Sequence, residues 1–180
     1  MKKILLVISS ALMAIASVQG QTEKEDWMVG GNFELNTTNN TTISLTPSAG
    51  YFFLNNLAAG GTLNFLYNKI GNDKTTGFGF GPFVRYYFGK NNLKPFAHTE
   101  YLFTSIKFEG PGFSSTTNGG DFFIGPGLAA FVNEHVAIET LVGYANSNYS
   151  GSGSDGGLAI RIGFQVYLSP RGIVETYKAK

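Results

Sequence analysis

The chain predicts an all-β fold, an eight-stranded antiparallel up-and-down transmembrane β-barrel. Three observations carry that expectation. Apolar residues recur at every second position through most of the chain, the alternating stretches are joined by turns that are short on one side and long on the other, and charge is scarce. Charged residues are 14% of the 180, against about a quarter in soluble domains, while Gly numbers 24, Phe 16 and Tyr 9. A mean hydropathy of +0.01 is far below that of a bundle of membrane helices. The formal net charge of +1 leaves no electrostatic footprint for nucleic acid. With no cysteine, a disulfide scaffold, a thiolate zinc site and a Cys nucleophile are all excluded.

Residues 1–20 are set apart first. Lys2 and Lys3 precede an uncharged run over 4–18, and small residues follow to Gly20. This is the charged, apolar and small-residue order of a secretory signal. At about 15 residues the run is shorter than the roughly 20 that a spanning helix needs. Cleavage is expected, which leaves 11 basic and 12 acidic residues and a net charge of −1.

The exported part is expected to be one barrel over 21–168 with a short tail over 169–180. Four eleven-residue stretches, 43–53, 78–88, 122–132 and 158–168, align without gaps, and all 24 of their alternate positions are apolar, counting Ala, Pro and Tyr. The first reads Ile43, Leu45, Pro47, Ala49, Tyr51, Phe53; the last reads Leu158, Ile160, Ile162, Phe164, Val166, Leu168. The intervening positions are mostly small or polar. Strict alternation means strands with one face in an apolar medium. Weaker partners lie at 27–35, 57–67, 95–105 and 136–144, which makes eight strands. Short turns at 54–56, 89–93 and 133–135 carry Asn or Gly, as tight hairpins require. Longer Ser/Thr/Asn/Gly-rich connections at 36–42, 68–77, 106–121 and 145–157 join the opposite ends and read as loops. An even strand number with this asymmetry describes a membrane barrel, in which every backbone polar group can be paired within the wall.

The apolar face is expected to meet lipid. An eight-stranded barrel is just wide enough for side chains to fill its interior, so the large apolar set cannot line a ligand cavity as in a soluble carrier. Aromatics gather at both strand ends, with Trp27, Tyr51, Phe53, Tyr86 and Phe88 on the short-turn side and Tyr67, Phe78, Phe103, Phe122 and Tyr144 on the other, as two interfacial girdles would. Arginine on the lipid face near the bilayer centre costs about 2–4 kcal/mol, and Arg85 and Arg161 both fall on the inner face. So do Glu34, Glu100 and Glu139. A lumenal network of these five with His98 is expected, with Arg161–Glu34 and Arg161–Glu139 as pairs that strand order permits. Phe52, Tyr87, Phe131 and Tyr167 also point inward at one level and fill the short-turn end. Pro47, Pro82 and Pro126 share one position of the repeat. Proline cannot donate to a ladder, so a bulge is expected at each.

The phrases Gly79-Phe80-Gly81-Pro82-Phe83-Val84-Arg85-Tyr86-Tyr87-Phe88, Lys94-Pro95-Phe96-Ala97 and Ile124-Gly125-Pro126-Gly127 resemble the outer-membrane β-barrel domain family of Gram-negative bacteria, the group around OmpX, OmpW and the barrel of OmpA. Residues 158–168 also look like the terminal strand that the barrel-assembly machinery reads, although such barrels usually end there on an aromatic and this chain continues over 169–180. That tail is too short for a peptidoglycan-binding domain. The resemblance implies an outer-membrane protein in contact with lipid and lipopolysaccharide. A monomer with a structural or surface-interaction role through the loops 106–121 and 145–157 is expected, and the inward aromatics predict no open pore. Two alternatives are a barrel that transports small hydrophobic molecules, as suggested for OmpW relatives, and a lipid A-modifying enzyme. The transporter would need a lateral opening. For the enzyme, His98-Thr99-Glu100 is the only cluster of suitable type, and it sits deep in a strand with no matching Ser, so no catalytic role is expected. Two His and scattered carboxylates offer no metal spacing, and no cofactor is expected.

Overall fold

A computed structural model of the chain describes residues 22–36, 41–89, 91–151 and 153–170. The expected export signal at 1–20, most of the tail and the side chain of Glu34 lie outside the described residues. Eight antiparallel strands, β1 (Trp27–Asn36), β2 (Thr41–Leu54), β3 (Leu57–Ile70), β4 (Asp73–Tyr87), β5 (Leu93–Gly110), β6 (Phe113–Phe131), β7 (Val136–Tyr149) and β8 (Gly153–Leu168), close on themselves in sequence order. The alternation explains the closure. Odd positions of β1 and even positions of β8 lie outside, with Phe33, Ile160, Ile162 and Phe164 all more than half exposed, while Met28 and Tyr167 between them are fully buried. Closure joins the two edge strands, β1 and β8, over Trp27–Gly31, which covers sheet edge that would otherwise be exposed, and it turns a continuous apolar band outward.

The registers set the geometry of the interior. A path leaving β8 at Leu168 passes through Trp27, Tyr51, Ala59, Val84, Thr99, Ile124 and Tyr144 and regains β8 at Leu158, ten residues from its start. The shear of ten tilts the strands, so residues at one height are far apart in register.

The connections depart from expectation at the long end. The stretches expected as loops at 68–77, 106–121 and 145–157 are chiefly strand. β3 and β4 are paired up to Ile70–Asp73, β5 and β6 up to Gly110–Phe113, and β7 and β8 up to Tyr149–Gly153. Only tips remain, Gly71-Asn72 and Pro111-Gly112 among them, and Gly71 and Gly112 take positive φ of 60° and 83°. Pro followed by Gly is the pairing that a type II turn selects. Beyond the apolar band, Ser and Thr on paired strands replace the apolar set, which is why composition alone reads as loop.

The proline bulges are not observed. Across β2–β3, β4–β5 and β6–β7 the register is the same before and after Pro47, Pro82 and Pro126, and the only shift in these ladders lies at Phe52/Leu54. What occurs instead is a gap of two residue pairs in each ladder with the register unbroken. The direction of the main chain explains it. Backbone groups of alternate residues point to opposite neighbours. Since Phe88 donates to Pro95, Phe52 to Asp26 and Phe131 to Asn92, Pro82, Pro47 and Pro126 all face the strand joined to theirs by a short turn. Each lacks the N–H that its hairpin partner would accept.

A second break lies at the seam. Among the described residues, β1 and β8 pair only from Trp27–Leu168 to Gly31–Phe164. Above Gly31 the continuing partners would be Phe33–Ile162 and Leu35–Ile160, and none of these pairs forms. Ile162 occupies the repeat position that Pro47, Pro82 and Pro126 hold elsewhere.

Candidate functional site

The lumen is built in layers from the short-turn end. Residues 22–26, ahead of β1, fold beneath the barrel. Asn56 N–H donates to Thr22 O at 2.7 Å and Glu25 N–H to Phe52 O at 2.7 Å. The Thr22 hydroxyl donates to Asn56 Oδ1 and accepts from Lys94 Nζ, each at 2.7 Å. Above this floor stand Phe52, Tyr87, Phe131 and Tyr167, joined by Met28 and Phe96 and all essentially without solvent exposure. Tyr167 packs on Phe131 at 4.8 Å and Tyr87 on Phe96 at 5.2 Å between ring centroids.

The charges lie on this layer as two pairs that span the lumen. Arg85 Nη1 donates to Glu139 Oε2 at 2.7 Å and to the Tyr87 hydroxyl at 3.0 Å. Glu139 Oε1 accepts from the hydroxyls of Tyr167 at 2.8 Å and Tyr87 at 3.3 Å. Arg85 also stacks its guanidinium 4.4 Å from the centre of Phe96 and donates through Nε to His98 Nδ1 at 3.3 Å. Higher up, Arg161 Nη1 donates to Glu100 Oε1 at 2.8 Å, and Thr62 donates to Glu100 Oε2 at 2.7 Å. Arg161 lies 4.2 Å over the ring of Phe123. Burying two charges is tolerable only where the remaining lone pairs and protons are also met, and the tyrosines, Thr62 and His98 supply those contacts.

The pairing differs from the one strand order suggested. Arg161 meets Glu100 across the barrel rather than Glu139 beside it, because the shear sets β7 and β8 so that Arg161 stands opposite Leu141. Glu34 lies outside the described side chains. His98 Nε2 stands 4.0 Å from Glu100 Oε2, and both residues are buried. The girdle residues Trp27, Phe53, Tyr86, Phe88, Phe103 and Tyr144 are exposed on the outer face, and Tyr51 and Tyr67 are half-buried there. Trp27 and Tyr51 meet edge to face at 5.1 Å.

Sequence reasoning missed Lys94, Thr62, Gln165 and the floor formed by 22–26. Lys94 shares the parity of Phe96, His98 and Glu100, so its inward placement was readable once β5 is started at Leu93 rather than at Pro95. The outer rim holds one more cluster, in which Asp121 accepts from Thr104 at 2.6 Å and from Tyr149 at 2.8 Å. Burial, then the bond and charge of Asp121, raise the Tyr149 phenol above its ordinary range.

Above the Glu100–Arg161 pair the lumen opens into a cavity of about 430 Å³ at the β1–β8 seam, walled by Asn32, Ser44, Thr46 and Asn64 inside and by Phe33, Ile160 and Ile162 at its mouth. Below it a space of about 20 Å³ reaches Gln165, whose Oε1 is the one buried side-chain polar atom without a hydrogen-bond partner among the described residues.

Strand number, outward apolar band and inward charges define the class of small eight-stranded membrane barrels. No protein-family model matches the chain, and no curated protein does. Solved structures match it. The N-terminal β-barrel domain of Pseudomonas aeruginosa OprF has a TM-score of 0.58 at 13% identity, over 81% of this chain and 98% of that one. Neisserial surface protein A (NspA) has a TM-score of 0.54 at 15% identity, over 80% and 93% of the respective chains. The chain thus has the fold of small outer-membrane barrels.

Proposed function

We propose that the protein is an integral outer-membrane barrel of a Gram-negative bacterium whose role is structural or one of surface interaction, with a side-chain-filled lumen, no open pore and no catalytic activity. The observation that carries this reading is the fully buried aromatic layer of Phe52, Tyr87, Phe131 and Tyr167, sealed from below by Thr22 and Lys94. Lipid and lipopolysaccharide surround the apolar band, and the barrel-assembly machinery inserts the monomer. The hairpins at 106–121 and 145–157 offer the surface that an extracellular ligand would meet, and Phe108 and Phe113 are exposed on the first of them. Against a rim enzyme stands the depth of His98 and Glu100, which are engaged with Arg85, Arg161 and Thr62. A nucleophile and base would have to be within reach of substrate.

Planar-bilayer recording tests the closed lumen. The purified protein is expected to give no steady ohmic conductance, and replacing Phe52, Tyr87, Phe131 and Tyr167 together by Ala is expected to introduce one. A steady conductance from the unaltered chain would overturn the reading.

A further inference from the structure

We propose that the gap between β1 and β8 binds a single-chain amphiphile from the membrane, with an uncharged hydroxyl- or amide-bearing head in the seam cavity and its chain in a trough on the lipid face. The inference rests on the barrel lying in a bilayer, and goes beyond the closed-lumen role.

The first argument is the backbone. Leu168 and Trp27 face each other across the seam, and by alternation so do Ile162, Ile160, Phe33 and Leu35. The N–H and C=O groups of these four point at a neighbouring strand with which no ladder forms. In lipid, unpaired backbone groups cost several kcal/mol each, so the gap is stable only against something that hydrogen-bonds. A purely apolar guest is therefore excluded.

The second argument is the composition of the cavity. Its inner wall carries the amides of Asn32 and Asn64 and the hydroxyls of Ser44 and Thr46. Its floor is the Glu100–Arg161 pair, whose charges cancel at 2.8 Å. Among the described side chains nothing there favours a net charge of either sign, and much there hydrogen-bonds. A neutral head with several donors matches this set.

The third argument is the adjoining surface. From Asn32 and Phe33 an apolar trough of about 520 Å³ runs down the outside past Pro47 and Val29 to Leu168. Gly31, which lines it, takes φ 149° and sits against the Thr46–Pro47 backbone, where a Cβ would collide. A polar cavity and an apolar trough that share Asn32 and Phe33 as lining have the shape of one head and one chain. The trough descends from the seam toward the short-turn end, so a chain lying in it points away from the rim that carries the long hairpins.

Trp27 provides the readout. It is the only tryptophan, and it lies on the lipid face beside the lower end of the trough, paired with Leu168. The protein is placed in phosphatidylcholine nanodiscs after its mobility shift on boiling shows that it is folded. 1-(9,10-Dibromostearoyl)glycerol is then titrated in. Saturable quenching of Trp27 is expected at low mole fraction, with phosphatidylcholine bearing the same brominated chains giving only a gradual rise. Two variants close the site. Phe33→Cys/Ile162→Cys, in a chain without other cysteines, is expected to lose at least tenfold in affinity when oxidised and to regain it on reduction. Ser44→Phe is expected to lose as much by filling the cavity. Quenching that grows in proportion to mole fraction, is equal for the two lipids, or is unaltered in Ser44→Phe would overturn the proposal. A sample that shows no shift on boiling would instead count against the barrel.

Discussion

The interior depends on a few residues whose sidedness follows from parity and whose partners follow from shear. Alternation alone put Arg85, Glu100, Glu139 and Arg161 in the lumen, since any other register would place them in lipid. It could not say that Arg85 meets Glu139, or that Arg161 reaches Glu100 across the barrel. Those pairings depend on the ten-residue stagger, a property of closure that no local stretch records. The Arg85–Glu139 pair is nearly inaccessible, with side-chain exposures of 5% and 2%. Arg85→Leu, which strands a buried carboxylate, is expected to destabilise the barrel by about 3–5 kcal/mol. Adding Glu139→Leu is expected to restore most of that loss, because an apolar pair no longer needs a counter-charge. Urea unfolding in micelles, followed by Trp27 fluorescence, measures both, and a single variant costing under about 1 kcal/mol would contradict the account. At the rim, the hydrogen bond from Lys107, then its charge, hold the Glu109 carboxyl below its ordinary range. A depressed carboxyl contributes its stability above the unfolded value and loses it as pH falls through the folded one. The protection of amides at the 107–116 tip, taken relative to the intrinsic exchange rate at each pH, is therefore expected to fall on acidification through that range while the barrel wall stays protected.

Element boundaries were legible where lipid imposes alternation and illegible where it does not. The lower ends of β2, β4, β6 and β8 were read to within two residues. The upper end of β2, expected at 43, lies at Thr41, whereas those of β4, β6 and β8 were misread because a paired Ser/Thr strand in water has the composition of a loop. Pro111-Gly112 was the available signal, a turn dipeptide in the middle of a stretch taken as irregular. Since the protruding part of β5–β6 packs no core, replacing 107–116 by Asn-Gly is expected to leave barrel formation intact, as gel mobility of unheated samples reports. The prolines were seen but misread. A bulge would shift the register, whereas the observed ladders continue through them with one donor missing. Pro82→Ala returns an N–H toward Tyr101 and is expected to slow exchange across β4–β5 and to add up to about 1 kcal/mol. A loss of more than about 1 kcal/mol would mean that proline is needed to hold a distortion there.

The whole molecule is a wall closed by eight strands but hydrogen-bonded unevenly. It is densely packed at the short-turn end, where 22–26 lie against the buried aromatic layer, and unpaired at the upper seam. The burial of Phe52, Tyr87, Phe131 and Tyr167 was foreseeable from their inward parity at one level of the repeat. The floor beneath them was not, because Thr22 to Asp26 carry no periodicity and are held by a handful of hydrogen bonds, chiefly with Asn56, Phe52 and Lys94. The seam was equally hidden, since Phe33, Ile160 and Ile162 alternate as regularly as any other pair of strands. Its partial pairing emerges only on closure. Both features presuppose that the apolar band lies in the outer membrane, which makes that placement the claim on which the rest depends. Outer-membrane fractions run on a gel with and without boiling test it most directly. The account predicts that the chain partitions there and migrates differently before and after heating, as a folded barrel resistant to detergent does. A chain found outside that fraction, and with one mobility in both lanes, would contradict it.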